Sequence, residues 1–417
     1  MSISDMRKMR LHRLIDIARA YRNVTKAQLA EILQRDPSRL YPDTDNPKLD
    51  LIVSLANVLE WSIDTVIEYV WDGDPSATIH NNGCTYESVL KLTLDAHQNG
   101  KFKEMVDDAR KLQSLATKPG QRGKALRLEG AGWEGLGRYN QSLQVLRRGL
   151  QLPGLPAAER IALQGNLAHA YYSLWDLTSA VGATQLVIEH FERRAAETRA
   201  ERGAEAFGYY VRGNALRRML TLEPEDRADC ATRARRDLEH ARRLYDQMAV
   251  DFNAEYLSGI AHTCTGGLLE LDVELGALTP DAAVEQVLAV LNKVADESNW
   301  PTGDWLESYG WWCDFGANIA RRKLTGRRQH QVLAVLSGKL VDIARKLDNW
   351  ALLERVVAMQ HSLHQQLSDS TGIDWEYTLD LDELRLITGA MGRFPEIRRV
   401  GWNLIDRASM VQGLGRN

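Results

Sequence analysis

The side chains of this 417-residue chain that could do chemistry are amides, guanidiniums and aromatics. Asn166, Asn214 and Asn318 each follow a small residue, Gly165, Gly213 and Ala317. An amide side chain offers a donor and an acceptor together, so it can hold an extended peptide backbone whatever the peptide's sequence. Arg212, Arg217, Arg321 and Arg322 stand close to these asparagines in the sequence. A guanidinium grips a carboxylate with two parallel N–H bonds, so they suit a peptide's terminal carboxylate. His169, Tyr172 and Tyr210 are placed to share that surface. The candidate ligand residues are therefore Asn166, His169, Tyr172, Tyr210, Asn214, Arg217, Asn318 and Arg321. For any one of them a solvated helix face, or packing at a repeat position, is the plainer alternative.

A second chemistry is phosphate contact. Between Arg7 and Arg39, lysines and arginines outnumber the acids Asp16, Glu31 and Asp36. A basic face of this kind binds a nucleic-acid backbone through charge. The whole chain has a net charge of −4, so such binding must be local.

Catalytic and metal patterns do not hold up. The run Pro119-Gly120-Gln121-Arg122-Gly123-Lys124-Ala125 looks like a phosphate loop, but it lacks the Ser or Thr after Lys and follows a helix, not a strand. His361 and His364 share a helix face without a third ligand nearby in sequence. The acids Asp374, Glu376, Asp380, Asp382 and Glu383 precede a helix, where negative charge favours the positive N-terminal end. No enzyme, cofactor or metal site is expected. Cys84, Cys230, Cys264 and Cys313 are far apart, as reduced, buried thiols of a cytosolic protein would be. Trp300, Trp305, Trp311 and Trp312 cluster with Tyr309. Trp305, Tyr309 and Trp312 fall on one helical face and Trp311 on another. One face reads as core, and the alternative for the other is a recognition surface for a ligand or a second subunit.

These residues must be positioned by helices. The stretch 123–153 holds two helix-length apolar patterns around the turn Gly137-Arg138-Tyr139, and it stops at Pro153. A similar pair surrounds Asn99-Gly100-Lys101-Phe102, and another surrounds Trp175-Asp176-Leu177. The turns recur every ~37 residues, the period of stacked helix pairs. Longer pairs follow at about 193–249, 251–298, 302–348 and 350–390, and a last helix at 394–410 closes the array. With its recurring Gly-x-aromatic turns, this pattern resembles tetratricopeptide (TPR) repeats.

Ahead of the pairs, residues 7–71 read as short helices. Thr25 caps one of them, with Gln28 completing a capping box. Asp36 and Pro37 start a short third segment that Pro42 limits. The pieces Leu29-Ala30-Glu31-Ile32-Leu33, Asn46-Pro47, Leu55-Ala56-Asn57-Val58-Leu59 and Ser62-Ile63-Asp64 resemble, in order, the helix-turn-helix domain of the phage-repressor-like (XRE) regulators. The resemblance implies a recognition helix around 35–41, with Thr25, Lys26, Arg35, Ser38, Arg39 and Tyr41 as DNA-contacting residues. Its spacing is shorter than the family's, and Gln34 occupies the usual small turn position.

The expected fold is all-α: a helix-turn-helix-like bundle at 1–71, a linker at 72–84, and a TPR-like right-handed superhelix at 85–417 with about seven helix pairs and a C-terminal cap. XRE domains followed by TPR repeats resemble peptide-responsive bacterial transcription regulators. That resemblance implies a cytoplasmic homodimer that binds DNA and senses a peptide or protein ligand in the TPR groove. The alternative is an interaction scaffold whose helix-turn-helix is degenerate and does not bind DNA. No membrane segment is expected.

Overall fold

The computed structural model describes residues 3–44, 46–61, 63–71, 85–222, 225–372 and 377–410. Ser62, the whole of the 72–84 linker (Cys84 included), Asp374 and Glu376 lie outside the described residues. The fold is all-α, apart from one short pair of strands. The chain divides into two compact units, Met1–Asn82 and Gly83–Asn417.

In the first unit, α1 (Ile3–Arg22), α2 (Lys26–Ile32), α3 (Leu49–Leu59) and α4 (Ile63–Trp71) enclose one apolar core. Leu11, Leu14, Ile15 and Ala18 of α1 meet Leu29 and Ala30 of α2, Leu51, Ile52 and Leu55 of α3, and Val66 and Val70 of α4. The capping box at Thr25 and Gln28 forms. The segment expected to be a recognition helix does not become one. Only Pro37–Arg39 is helical, as a single 3-10 turn. The Asp36 side chain accepts the Ser38 N–H at 2.7 Å and so starts the turn. Pro42 disfavours helical backbone at Tyr41 and stops its extension.

The second unit begins with the pairs α5 (Tyr86–Gln98) with α6 (Phe102–Leu115), α7 (Pro119–Gly135) with α8 (Tyr139–Leu150), and α9 (Ala157–Ser173) with α10 (Leu177–Arg193). It continues with α11 (Arg199–Met219) and α12 (Arg227–Asp251), α13 (Tyr256–Glu274) and α14 (Pro280–Leu291), and α15 (Asp304–Lys323) and α16 (Gly326–Leu347). The last helices are α17 (Trp350–Thr371), α18 (Leu381–Arg393) and α19 (Ile397–Asp406). First helices stack on first helices: α7 on α9, α9 on α11, α11 on α13, α13 on α15, and α15 on α17. The phosphate-loop lookalike is the opening turn of α7, with Pro119 at its start.

The first three pairs turn in the same way. Gly100, Gly137 and Trp175 each take positive φ, at 68°, 67° and 63°. Each N–H reaches back three residues, and the next N–H reaches back five, as in Lys101 to Ala96, Arg138 to Trp133 and Asp176 to Tyr171. This double bond pattern ends a helix with one left-handed residue, a position that glycine fills without strain.

The array closes on itself. The aromatic ring of Tyr139, at the start of α8, lies 5.4 Å from that of Phe394. A Cβ on Gly137 would stand 2.8 Å from Cβ of Trp350, so the backbone of this turn lies flat against the start of α17. Tyr139, Val357, Ile387, Met391, Phe394, Ile397 and Leu404 share one core. Tyr377–Leu379 pairs in parallel with Ala408–Met410 and ties the two ends of the α18–α19 segment together. The C-terminal helices thus cap the array and also bind its second and third turns.

Candidate functional site

Four basic residues of the first unit form ion pairs within it. Lys8 pairs with Asp43, Arg19 with Asp16 at 3.8 Å, Arg22 with Glu60 at 3.2 Å and Arg35 with Asp50 at 2.8 Å. Thr25 is occupied in capping α2. The Ser38 hydroxyl donates to Asp36 at 2.5 Å, and the Tyr41 hydroxyl donates to Asp16 at 2.6 Å. Lys26 and Arg39 are exposed and form no ion pair among the described residues, as is also true of Arg13 and Lys48. The Lys26 ammonium sits 5.3 Å from the centre of the Tyr41 ring. Lys26 thus stands at the start of α2 against the residue that follows the 3-10 turn by two positions, and Arg39 ends that turn.

In the second unit the expected ligand residues lie on the inner helices α9, α11 and α15, where two of the three asparagines are half-buried. Asn214 and Arg217 are turned inward. The Asn214 amide donates to the Tyr210 carbonyl at 3.0 Å, and its oxygen accepts from Arg217 at 3.3 Å. Arg217 also pairs with Glu270, which Arg322 holds from the other side. The Arg217 guanidinium lies 4.3 Å from the centre of the Phe315 ring. Buried Arg212 forms a two-bond fork with Asp237, at 2.7 and 2.9 Å. These arginines tie neighbouring helices together.

His169, Tyr172 and Tyr210 do meet, through Phe207. The His169 ring is 6.1 Å from Tyr172 and 5.4 Å from Phe207, and Phe207 stacks on Tyr210 at 6.4 Å. His169 Nδ1 is 3.1 Å from Glu134. Burial opposes charge on this imidazole, but the Glu134 carboxylate outweighs it and holds its pKa above the ordinary value. The tryptophan cluster is mainly core: Trp312 is buried, stacks on His262 at 4.8 Å, and donates to the His262 carbonyl at 2.9 Å. The rings around His262 push its pKa down to about 4.

Asn318 and Arg321 belong to a cavity of about 90 Å3, which Trp175, Arg217, Arg218, Asp314, Arg355 and Met359 also line. It sits at the seam where α17 meets the third turn. Trp175 carries two guanidiniums on its ring, Arg218 at 3.5 Å and Arg355 at 4.5 Å. Arg218 donates to the Tyr172 carbonyl at 2.8 Å and stands 3.7 Å from Glu354. Glu354 is buried, and desolvation pushes its pKa up to about 7 against the pull of Arg218. Burial likewise holds the Asp314 carboxyl above the ordinary range.

Sequence reasoning placed Trp175 in a turn and missed its role here. The signal was available: at the positions of Gly100 and Gly137 the third pair carries a bulky residue, whose left-handed backbone costs about 1–2 kcal/mol. Arg218, Glu354 and Arg355 gave no such signal, because helices remote in sequence bring them together. Among the described residues no cluster of His, Cys, Asp and Glu could hold a metal, and no helix is long and apolar enough to cross a membrane. Cys230, Cys264 and Cys313 are buried free thiols.

No family model matches the sequence, and no curated protein does. One solved structure similar to this chain is Bacillus thuringiensis PlcR in complex with the peptide PapR7 and DNA. It is 15% identical, covers 70% of this chain and 99% of its own, and has a TM-score of 0.35. A likeness this distant adds nothing to the geometry above.

Proposed function

We propose that this chain is a DNA-binding transcription regulator whose helical-repeat unit senses a peptide or protein ligand, which in turn controls dimerisation and DNA binding. The observation that carries the DNA step is that Lys26 and Arg39, at the start of α2 and in the 3-10 turn, are exposed and form no ion pair among the described residues. Such a pair suits phosphate contact. The single 3-10 turn at Pro37–Arg39 presents too few side chains to read base edges as a recognition helix does, so backbone contact and DNA shape carry the recognition. In this reading ligand sensing rests on α9, α11 and α15, which carry Asn166, His169, Tyr172, Tyr210, Asn318 and Arg321.

Fluorescence anisotropy with duplex DNA over a range of salt concentrations tests the first step. Lys26→Ala and Arg39→Ala should each weaken binding uniformly across sequences and lower the salt slope by about 1. No detectable binding to any duplex at low salt would sink the DNA reading. It would leave the second reading, an interaction scaffold with a degenerate helix-turn-helix, which the missing recognition helix favours. Sedimentation with and without pooled peptides tests the coupling to dimerisation, and an unchanged mass in both conditions refutes it.

A further inference from the structure

The cavity beside Trp175 differs in chemistry from the rest of the inner surface. Four guanidiniums line it, those of Arg217, Arg218, Arg321 and Arg355, against the carboxyl of Asp314 and those of Glu270 and Glu354, which pair with Arg217 and with Arg218 and Arg355. Positive charge is in excess even with every carboxyl ionised. Arg218 and Arg355 are each at least nine-tenths buried. Arg218 Nε has no hydrogen-bond partner among the described residues. Uncompensated cationic donors are costly to bury unless an anion completes them.

Shape agrees with charge. The space of about 90 Å3 is several times the ~15 Å3 that one water needs. Polar groups of Thr221, Asn318 and Ser362 line it together with the apolar Ala317, Leu333 and Met359. Two guanidiniums rest on the Trp175 indole, which fixes their planes. Trp175 occupies a left-handed turn position that the two preceding pairs give to glycine. A bulky side chain at such a strained position points to a use for its ring.

We infer that this cavity binds the carboxylate or phosphate group of a small ligand, with Arg218, Arg321 and Arg355 as its grips and Trp175 as the platform. The site draws on the third turn, α11, α15 and α17. An anion held there clamps the C-terminal helices onto the third pair and so strengthens the closure of the array. The site stands whether or not an extended peptide binds elsewhere on the inner surface.

The test uses the full chain and titrates sodium phosphate and sodium acetate separately, with sodium chloride adjusted to hold ionic strength constant. Thermal midpoint and tryptophan fluorescence are read together. The expected result is a saturable rise in midpoint with at least one of the two anions. A response to phosphate alone assigns a phosphorylated ligand, and a response to acetate assigns a carboxylate. Arg355→Gln and Arg321→Gln should each weaken the apparent affinity roughly tenfold, the loss of one charged hydrogen-bonding partner. Trp175→Phe should abolish most of the fluorescence response and leave the midpoint shift. If Arg355→Gln does not fold by circular dichroism, Arg321→Gln decides, since its one described side-chain bond is to Asn318 on the same helix. The absence of a saturable response to both anions overturns the site, as does unchanged affinity in the folded variants.

Discussion

Arg217 and Glu270 show how one residue's role depends on its surroundings. Both are almost fully buried and joined as an ion pair, with Asn214 and Phe315 completing the shell. Breaking such a pair from one side strands a charge in the core and costs about 3–5 kcal/mol. Arg217→Ala should therefore lose that much stability in urea unfolding, and a loss under about 1 kcal/mol would show that water reaches the site. In the sequence this arginine reads as a ligand contact, since it lies three residues after an asparagine on an inner helix. Its partner stands on another pair, and only packing brings them together. Glu354 makes a second prediction. Its folded-state pKa of about 7 lies above the ordinary value of 4.5. Between those values the folded chain keeps a proton that the unfolded chain releases, so the carboxyl lowers stability as pH rises from 4.5 to 7 and adds no further change above. Subtracting the pH–stability curve of Glu354→Gln from that of the wild type should give a difference falling through this window. A flat difference would mean that Glu354 is ionised throughout.

At the level of elements, the turns separate local strain from docking. Gly100 and Gly137 have nearly the same φ, but a Cβ at Gly100 meets nothing within 4 Å and one at Gly137 meets Trp350. Gly100→Ala should cost only the left-handed backbone, about 1 kcal/mol. Gly137→Ala should cost that plus a clash, about 2–4 kcal/mol in all. Equal losses in thermal or urea unfolding would mean that the second turn does not bear on α17. The helix pairs were legible because glycine at a left-handed turn, aromatic wedges and apolar periodicity are local signals. The third turn was found although its glycine is replaced. The start at Asp36 and Pro37 forms as expected, but the stop at Pro42 leaves room for one 3-10 turn and not for the recognition helix that the resemblance implies around 35–41. The strands Tyr377–Leu379 and Ala408–Met410 had no signal, since each is three residues long and gains its partner only across α18 and α19.

At the scale of the second unit, closure makes residues far apart in sequence share one fate. Phe394 is almost fully buried, and its ring meets Tyr139 from the second pair. Phe394→Ala should cost about 3–5 kcal/mol, as for other buried aromatics. The location of the damage is the sharper test. In an open solenoid each pair touches only its neighbours, so a cavity near the C-terminus would loosen that end alone. Here the same cavity undoes the contact between α18–α19 and the turns of pairs two and three. Amide exchange should therefore quicken around Tyr139 and Trp175 as well as across 381–406. Met105→Ala is the matched control: it empties the core between α5 and α6, far from the seam, and should quicken exchange near its own pair. Faster exchange confined to 350–410 in the Phe394 variant would show that the two ends touch without being coupled. It would also remove the route by which a ligand at Trp175 strengthens closure.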